Sequence, residues 1–73
     1  MVGGLALIGD VNERLDLQLD DSEYDTIGGF ILDRLGHIPA RGEEVGADGQ
    51  VFRVESLDGN RINRLRVMRS RVD

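Results

Sequence analysis

The chain has 73 residues, with 14 acidic against nine basic side chains, a formal net charge of −5, no cysteine and 40% hydrophobic residues. A chain of this length buries roughly 60% of its unfolded surface in one modest core, so residues 1–73 are read as a single domain, and the missing thiols exclude a disulfide scaffold or a thiolate zinc site. The longest apolar run, Leu5 to Ile8, is too short to span a membrane or to serve as a signal-peptide core.

Charge is distributed unevenly. Residues 10–25 carry Asp10, Glu13, Asp16, Asp20, Asp21, Glu23 and Asp25 against Arg14, whereas residues 59–73 carry Arg61, Arg64, Arg66, Arg69 and Arg71 against Asp73. The overall negative charge and an aromatic set of only Tyr24, Phe30 and Phe52 lack the basic footprint and stacking platform of a nucleic-acid binder, and no nucleic-acid partner is expected.

In chain order, Val2 to Leu7 reads as a short strand interrupted by Gly3 and Gly4. Ile8, Val11 and Leu15 then recur at helical spacing, and Asp10 with Glu13 three residues on resembles an acidic capping box, which predicts a first helix of two to three turns. Leu15, Leu17 and Leu19 alternate with Asp16, Gln18 and Asp20 in an extended pattern, and Asp20 to Asp25 forms an acidic loop. Asp25 or Thr26 is the expected N-cap of a second helix whose apolar face is Ile27, Phe30, Ile31 and Leu35, ended by Gly36 and Pro39. Gly28 and Gly29 inside that helix cost about 2 kcal/mol in propensity relative to alanine. The reading favoured is close approach of a neighbouring backbone; a phosphate cradle lacks the glycine spacing and sits beside an acidic loop.

The second half reads as β. Glu43 to Ala47 and Gln50 to Leu57 flank an Asp48-Gly49 turn, with Phe52 and Val54 on one face, and Asp58-Gly59 is read as a second turn of the same kind. Ile62 is out of phase with Leu65 and Val67, which a bulge near Asn63 would correct. The fold class expected is α+β: two helices packed on one face of a small, mainly antiparallel sheet. Its expected core is Ile8, Val11, Leu15, Ile27, Phe30, Ile31, Leu35, Val45, Phe52, Val54, Ile62, Leu65 and Val67. His37 is the only histidine and reads as a loop side chain; Ser22, Ser56, Ser70 and Thr26 read as cap and turn residues. No nucleophilic constellation is present, so no enzyme activity is expected. Asp20, Asp21, Glu23 and Asp25 place four carboxylates within six residues, the oxygen ligands that a divalent cation takes, although the spacing is not that of an EF-hand and any affinity would be near the millimolar end. Solubility and the N-terminus of the second helix account for the same charges.

Thr26, Ile27, Gly28, Gly29, Phe30 and Ile31, followed by Leu35, Gly36, His37, Ile38, Pro39 and Gly42, resemble the signature of the CorC/HlyC transporter-associated domain. Val2, Gly3, Asp10, Val11 and Asn12 upstream, and Gly49, Phe52, Val54, Arg61, Ile62, Leu65 and Val67 downstream, extend the resemblance over most of the chain. It implies a fold similar to a subdomain of PCMH-type FAD-binding proteins and a place at the cytoplasmic C-terminus of a larger membrane protein, after a transmembrane region and paired CBS domains. Some members are named magnesium and cobalt efflux proteins, others hemolysin-like. The role so implied is non-catalytic modulation of ion transport. A flavin- or adenine-nucleotide-binding module is the alternative, with FAD suggested by fold likeness alone, and a homo-oligomerisation domain is a third.

Overall fold

Two residues with positive φ, Asp48 (50°) and Gly49 (79°), close a hairpin between β2 (Glu44–Ala47) and β3 (Gln50–Asp58), the left-handed pair that a right-twisted two-residue turn demands. The computed structural model describes residues 1–69; before this hairpin lie β1 (Val2–Gly3), α1 (Ile8–Leu15) and α2 (Ile27–Leu35), and after it β4 (Arg61–Arg69). Ser70, read above as a turn residue, lies outside the described residues. The four strands form one antiparallel sheet in the order β1-β4-β3-β2, and the helices cover its apolar face.

The second hairpin differs from expectation by one residue. Asp58 pairs with Arg61, so the loop is Gly59-Asn60 rather than Asp58-Gly59, and Gly59 supplies the positive φ of 62° at its first position. The bulge expected at Asn63 is present and is matched by a second one: Val54 pairs with Leu65, Ser56 with Arg64 and Leu57 with Ile62, leaving Glu55 and Asn63 each as an extra residue on its strand. Ile62 and Leu65 are thereby both buried. Ser56 consequently lies within β3, not in a turn, and its Oγ accepts from Asn63 Nδ2 at 3.2 Å.

α1 starts without the capping box. Its N-cap is Leu7, which has no side-chain cap, and Asp10 lies inside the first turn. The free amide of Ile8 donates instead to the carbonyl of Asp25, at 2.9 Å; a tertiary contact replaces the local one because the acidic loop folds back over the helix end. Asp16 ends α1 with φ 56°. The chain then runs extended without a ladder partner, held by the side chains of Asn12 and Asp48. Asn12 donates through Nδ2 to the Leu19 carbonyl at 3.0 Å and accepts the Leu19 amide on Oδ1 at 2.8 Å, while Gln18 N donates to Asp48 Oδ2 at 2.7 Å. That clamp turns Leu17 and Leu19 into the core and leaves Leu15 half-buried. The core is Ile8, Val11, Leu17, Leu19, Ile27, Phe30, Ile31, Phe52, Val54, Ile62 and Leu65, with Leu15, Leu35, Val45 and Val67 packed at its margin.

α2 is capped by Thr26, whose Oγ1 accepts from Gly29 N at 3.2 Å, and ends at Gly36 with φ 71°. Close approach explains the first of its two glycines only. Gly28 N donates to the Gly4 carbonyl at 2.9 Å, and a Cβ on Gly28 would stand 2.6 Å from that oxygen. Gly4 in turn donates to the Asn63 carbonyl at 2.7 Å and would drive a Cβ to 1.8 Å from the Ile62 carbonyl oxygen. Gly29 meets only the Thr26 hydroxyl at 3.2 Å and the edge of the Tyr24 ring at 3.9 Å. With both amides committed, the pair offers no phosphate cradle.

Gly28→Ala is expected to cost about 1 to 3 kcal/mol by overpacking, although alanine is about 1 kcal/mol the better helix former; each kcal/mol lowers Tm by roughly 4 to 8 °C at this size. Gly29→Ala should stay within about 1 kcal/mol of the parent, since the gain in propensity opposes one tight hydroxyl contact. Equal losses in parallel thermal melts would contradict this division of roles. Asn12→Ala strands two backbone groups of a part-buried segment and should cost about 1 to 3 kcal/mol, with accelerated hydrogen exchange at the Leu19 amide as the local readout.

Candidate functional site

The acidic loop is suspended between two fixed points, Leu19 in the Asn12 clamp and Thr26 at the cap of α2. Within it Asp20 Oδ1 accepts the Ser22 amide at 2.9 Å, a local turn that Asp side chains form readily. Asp20, Asp21, Glu23 and Asp25 are all exposed. Tyr24 divides them. Asp20 and Glu23 open onto a cleft of about 340 Å³ whose other walls are Tyr24, Phe30, Asp33 and Arg34, whereas Asp21 and Asp25 line a separate depression of about 230 Å³ with Leu7, Gly9 and Asp10. Among the described residues no three Asp, Glu or His side chains stand in an arrangement that would hold a metal ion.

The cleft is built on aromatic packing. Tyr24 meets Phe30 edge to face, with ring centroids 6.5 Å apart at 78°, and the Arg34 guanidinium carbon lies 5.0 Å above the centre of the Phe30 ring, a cation–π contact. Asp33, absent from the carboxylates singled out above, joins Asp20 and Glu23 because it lies one helical turn beyond Phe30 on the same side of α2. The i, i+3 spacing from an aromatic core residue was the available signal for it.

Hydrogen bonding of the Tyr24 hydroxyl to Asp33 raises the phenol above its usual 10.0, with desolvation and the charges of Asp33 and Glu23 acting in the same direction. Asp20 is lowered below 3.8 by the Ser22 backbone amide and then by the Ser22 side chain. His37 lies outside the cleft: its Nε2 sits 2.8 and 2.9 Å from the two oxygens of Glu43, with the imidazole 56% exposed. Both contacts on one ring nitrogen require that nitrogen to carry the proton, so Glu43 selects the Nε2–H tautomer whenever the ring is neutral. This pair ties the loop after α2 to the start of β2.

A raised folded-state value for Tyr24 means that folding favours the neutral phenol; the associated stability is present below pH 10.0 and is lost as pH climbs through the folded value. For Asp20 the sign reverses, and its contribution is present above pH 3.8 and lost as pH falls through the lowered value. Ultraviolet titration of the phenolate should therefore show a midpoint above 10.0 that moves back down in Asp33→Asn. A midpoint insensitive to Asp33 would refute the contact.

Residues 1–71 match the transporter-associated domain family CorC_HlyC. Over 66 residues the chain is 44% identical to the magnesium and cobalt efflux protein CorC of Escherichia coli strain K12, covering 90% of this chain but only 23% of that protein. A CorC_HlyC domain from Haemophilus ducreyi superposes with a TM-score of 0.89 at 29% identity, covering 97% of this chain and 87% of that one. The transporter-associated domain CorC_HlyC of a Xylella fastidiosa Temecula1 hemolysin, solved in complex with Mg²⁺ and Mn²⁺, superposes at 0.85 with 29% identity, covering 94% of this chain and 84% of that one. A family match spanning nearly the whole sequence, and two helices on a four-stranded antiparallel sheet that superpose on solved members, give one conclusion: the chain belongs to the CorC/HlyC family of transporter-associated domains.

Proposed function

We propose that this domain is a non-catalytic regulatory module of a membrane protein that exports divalent cations such as Mg²⁺ and Co²⁺, working on the cytoplasmic face beside the transmembrane and CBS domains of its parent. The observation that carries the reading is the coverage relation to CorC: nine-tenths of this chain aligns with less than a quarter of that efflux protein. No helix of the described residues is long and apolar enough to cross a membrane, and the reading assigns transport to the rest of the parent protein.

Regulation by the transported ion has a physical seat in the acidic loop. A hard divalent cation takes oxygen ligands and draws carboxylates together; Asp20, Asp21, Glu23 and Asp25 would supply them, and the Mg²⁺ and Mn²⁺ complex of the Xylella relative supports divalent-cation binding by a domain of this fold. The carboxylates of the loop are divided between two depressions, so binding of one ion by all four would gather the loop around Tyr24. Because the Asp25 carbonyl holds the first amide of α1 and Thr26 caps α2, a change in the loop reaches both helices. Such a coupling biases a two-state element by differential binding.

Calorimetric titration of Mg²⁺ and Mn²⁺ at matched ionic strength should give saturable heat in the millimolar range, about where carboxylate sites of low rigidity fall, and Asp20→Asn with Asp21→Asn should abolish it. In the full-length parent protein, removing the domain should leave efflux active with an altered dependence on Mg²⁺ concentration. Unchanged transport and unchanged metal dependence after removal would sink the regulatory reading; heat that persists in the double variant would sink the loop assignment alone.

A further inference from the structure

The stretch from Gly36 to Gly42 carries much of the family resemblance yet contributes nothing to the acidic cleft. Its geometry shows what it holds in place. Pro39 is buried, Gly42 has φ 94°, and the Gly42 amide donates to the Val54 carbonyl at 2.8 Å while Val54 N donates to the Glu43 carbonyl at 2.8 Å. The His37–Glu43 pair closes the same loop from the side. Residues 41–43 are thus bonded against β3, and Arg41 is held at a basin of about 390 Å³ whose other side chains include Arg53, Glu55, Arg66 and Met68.

The basin lies on the sheet face away from the helices, since Phe52 and Val54 point into the core and Arg53 alternates with them. Arg53 and Arg66 are direct partners across β3 and β4, and like charges so placed repel. Glu55 accepts from Arg66 Nε at 2.9 Å, orienting that guanidinium, and Glu44, the cross-strand partner of Arg53 on β2, places a second carboxylate on the same face at the rim of the basin. Among the described residues neither Arg41 nor Arg53 forms an ion pair. Three guanidinium groups and a backbone-anchored loop therefore converge on one open space lined by the Glu55 carboxylate and flanked by Glu44, a local excess of one positive charge in a chain whose net charge is −5.

We propose that the Arg41–Arg53–Arg66 basin binds a phosphate group, carried either by a soluble phosphate ester or by a lipid headgroup. A phosphate dianion offsets the Arg53–Arg66 repulsion, and its three acceptor oxygens suit donors arriving from three directions; a carboxylate occupies only one guanidinium fork. The acidic loop lies in the helix layer, away from this face, so its charge does not screen the basin at close range.

Inorganic phosphate titrated into isotope-labelled protein at constant ionic strength should shift the arginine Nε–H resonances of Arg53 and Arg66 saturably, and Arg53→Gln should weaken binding about tenfold or more, as loss of one charge-assisted contact implies. Arg61→Gln, on the opposite side of the domain beside Gly28 and Leu32, should leave it unchanged. Arg41→Gln gives the same test from the loop, and circular dichroism verifies that each variant is folded. Co-sedimentation with phosphatidylcholine vesicles containing phosphatidic acid, at phosphate levels too low for free phosphate to bind, identifies a lipid headgroup; equal affinity for a soluble phosphomonoester identifies a free ligand. Shifts that chloride reproduces, or saturation by polyglutamate with none by phosphate, would overturn the proposal, the latter in favour of an acidic protein segment.

Discussion

The fold depends on three backbones meeting without side chains between them. Gly4 lies between the first turn of α2 and the bulged part of β4, accepting from Gly28 N and donating to the Asn63 carbonyl. Neither glycine is required by its φ angle; what each lacks is room, because a Cβ on either would overlap a carbonyl oxygen. Main-chain hydrogen bonds at such a contact satisfy helix-terminal amides that otherwise need a side-chain cap or water. They also set the height of α2 over the sheet, which decides that Ile27 and Ile31 are fully buried. The paired bulges at Glu55 and Asn63 belong to the same arrangement: the Asn63 carbonyl faces Gly4 because the bulge turns it there.

From that contact outward the acidic loop and the main arginine cluster lie on different faces of the molecule. The helix layer ends in the acidic loop, where Asp20, Glu23 and Asp33 gather around Tyr24 and Phe30. The outer face of the sheet carries Arg53, Arg66 and, through the Gly42 turn, Arg41. Alternation along β3 and β4 makes this inevitable once one face is buried. A domain this small has little core to spare, and keeping these charges on exposed faces avoids burying them.

Two short segments join these faces mechanically. The Asn12 clamp fixes Leu19 and so the start of the acidic loop, and the Gln18 amide reaches Asp48 at the tip of the β2–β3 hairpin. On the other side the His37–Glu43 pair and the Gly42 bond to Val54 tie the end of α2 to β3. Both loops are anchored at their ends by side-chain and backbone hydrogen bonds. A displacement of either loop would be passed through its anchored ends to the elements packed there.

The elements legible from sequence were those whose cause is local. Thr26 with the Ile27, Phe30, Ile31 spacing predicted α2, Asp48-Gly49 predicted the hairpin, and the phase conflict between Ile62 and Leu65 predicted the bulge at Asn63, because caps, turns and side-chain alternation act within a few residues. The carboxylates of the acidic loop were also readable, but not their division by Tyr24 or the addition of Asp33. Tertiary structure alone decided what depends on a distant partner. It selected Gly28 over Gly29 as the close-approach glycine, capped α1 with the Asp25 carbonyl instead of Asp10, and buried Leu17 and Leu19 through Asn12. It also gathered Arg41, Arg53 and Arg66, which are scattered in sequence, into one basin. Periodicity states which side of an element is apolar; which backbone or charge lies opposite it is set by packing, where contacts far apart in sequence override local preference.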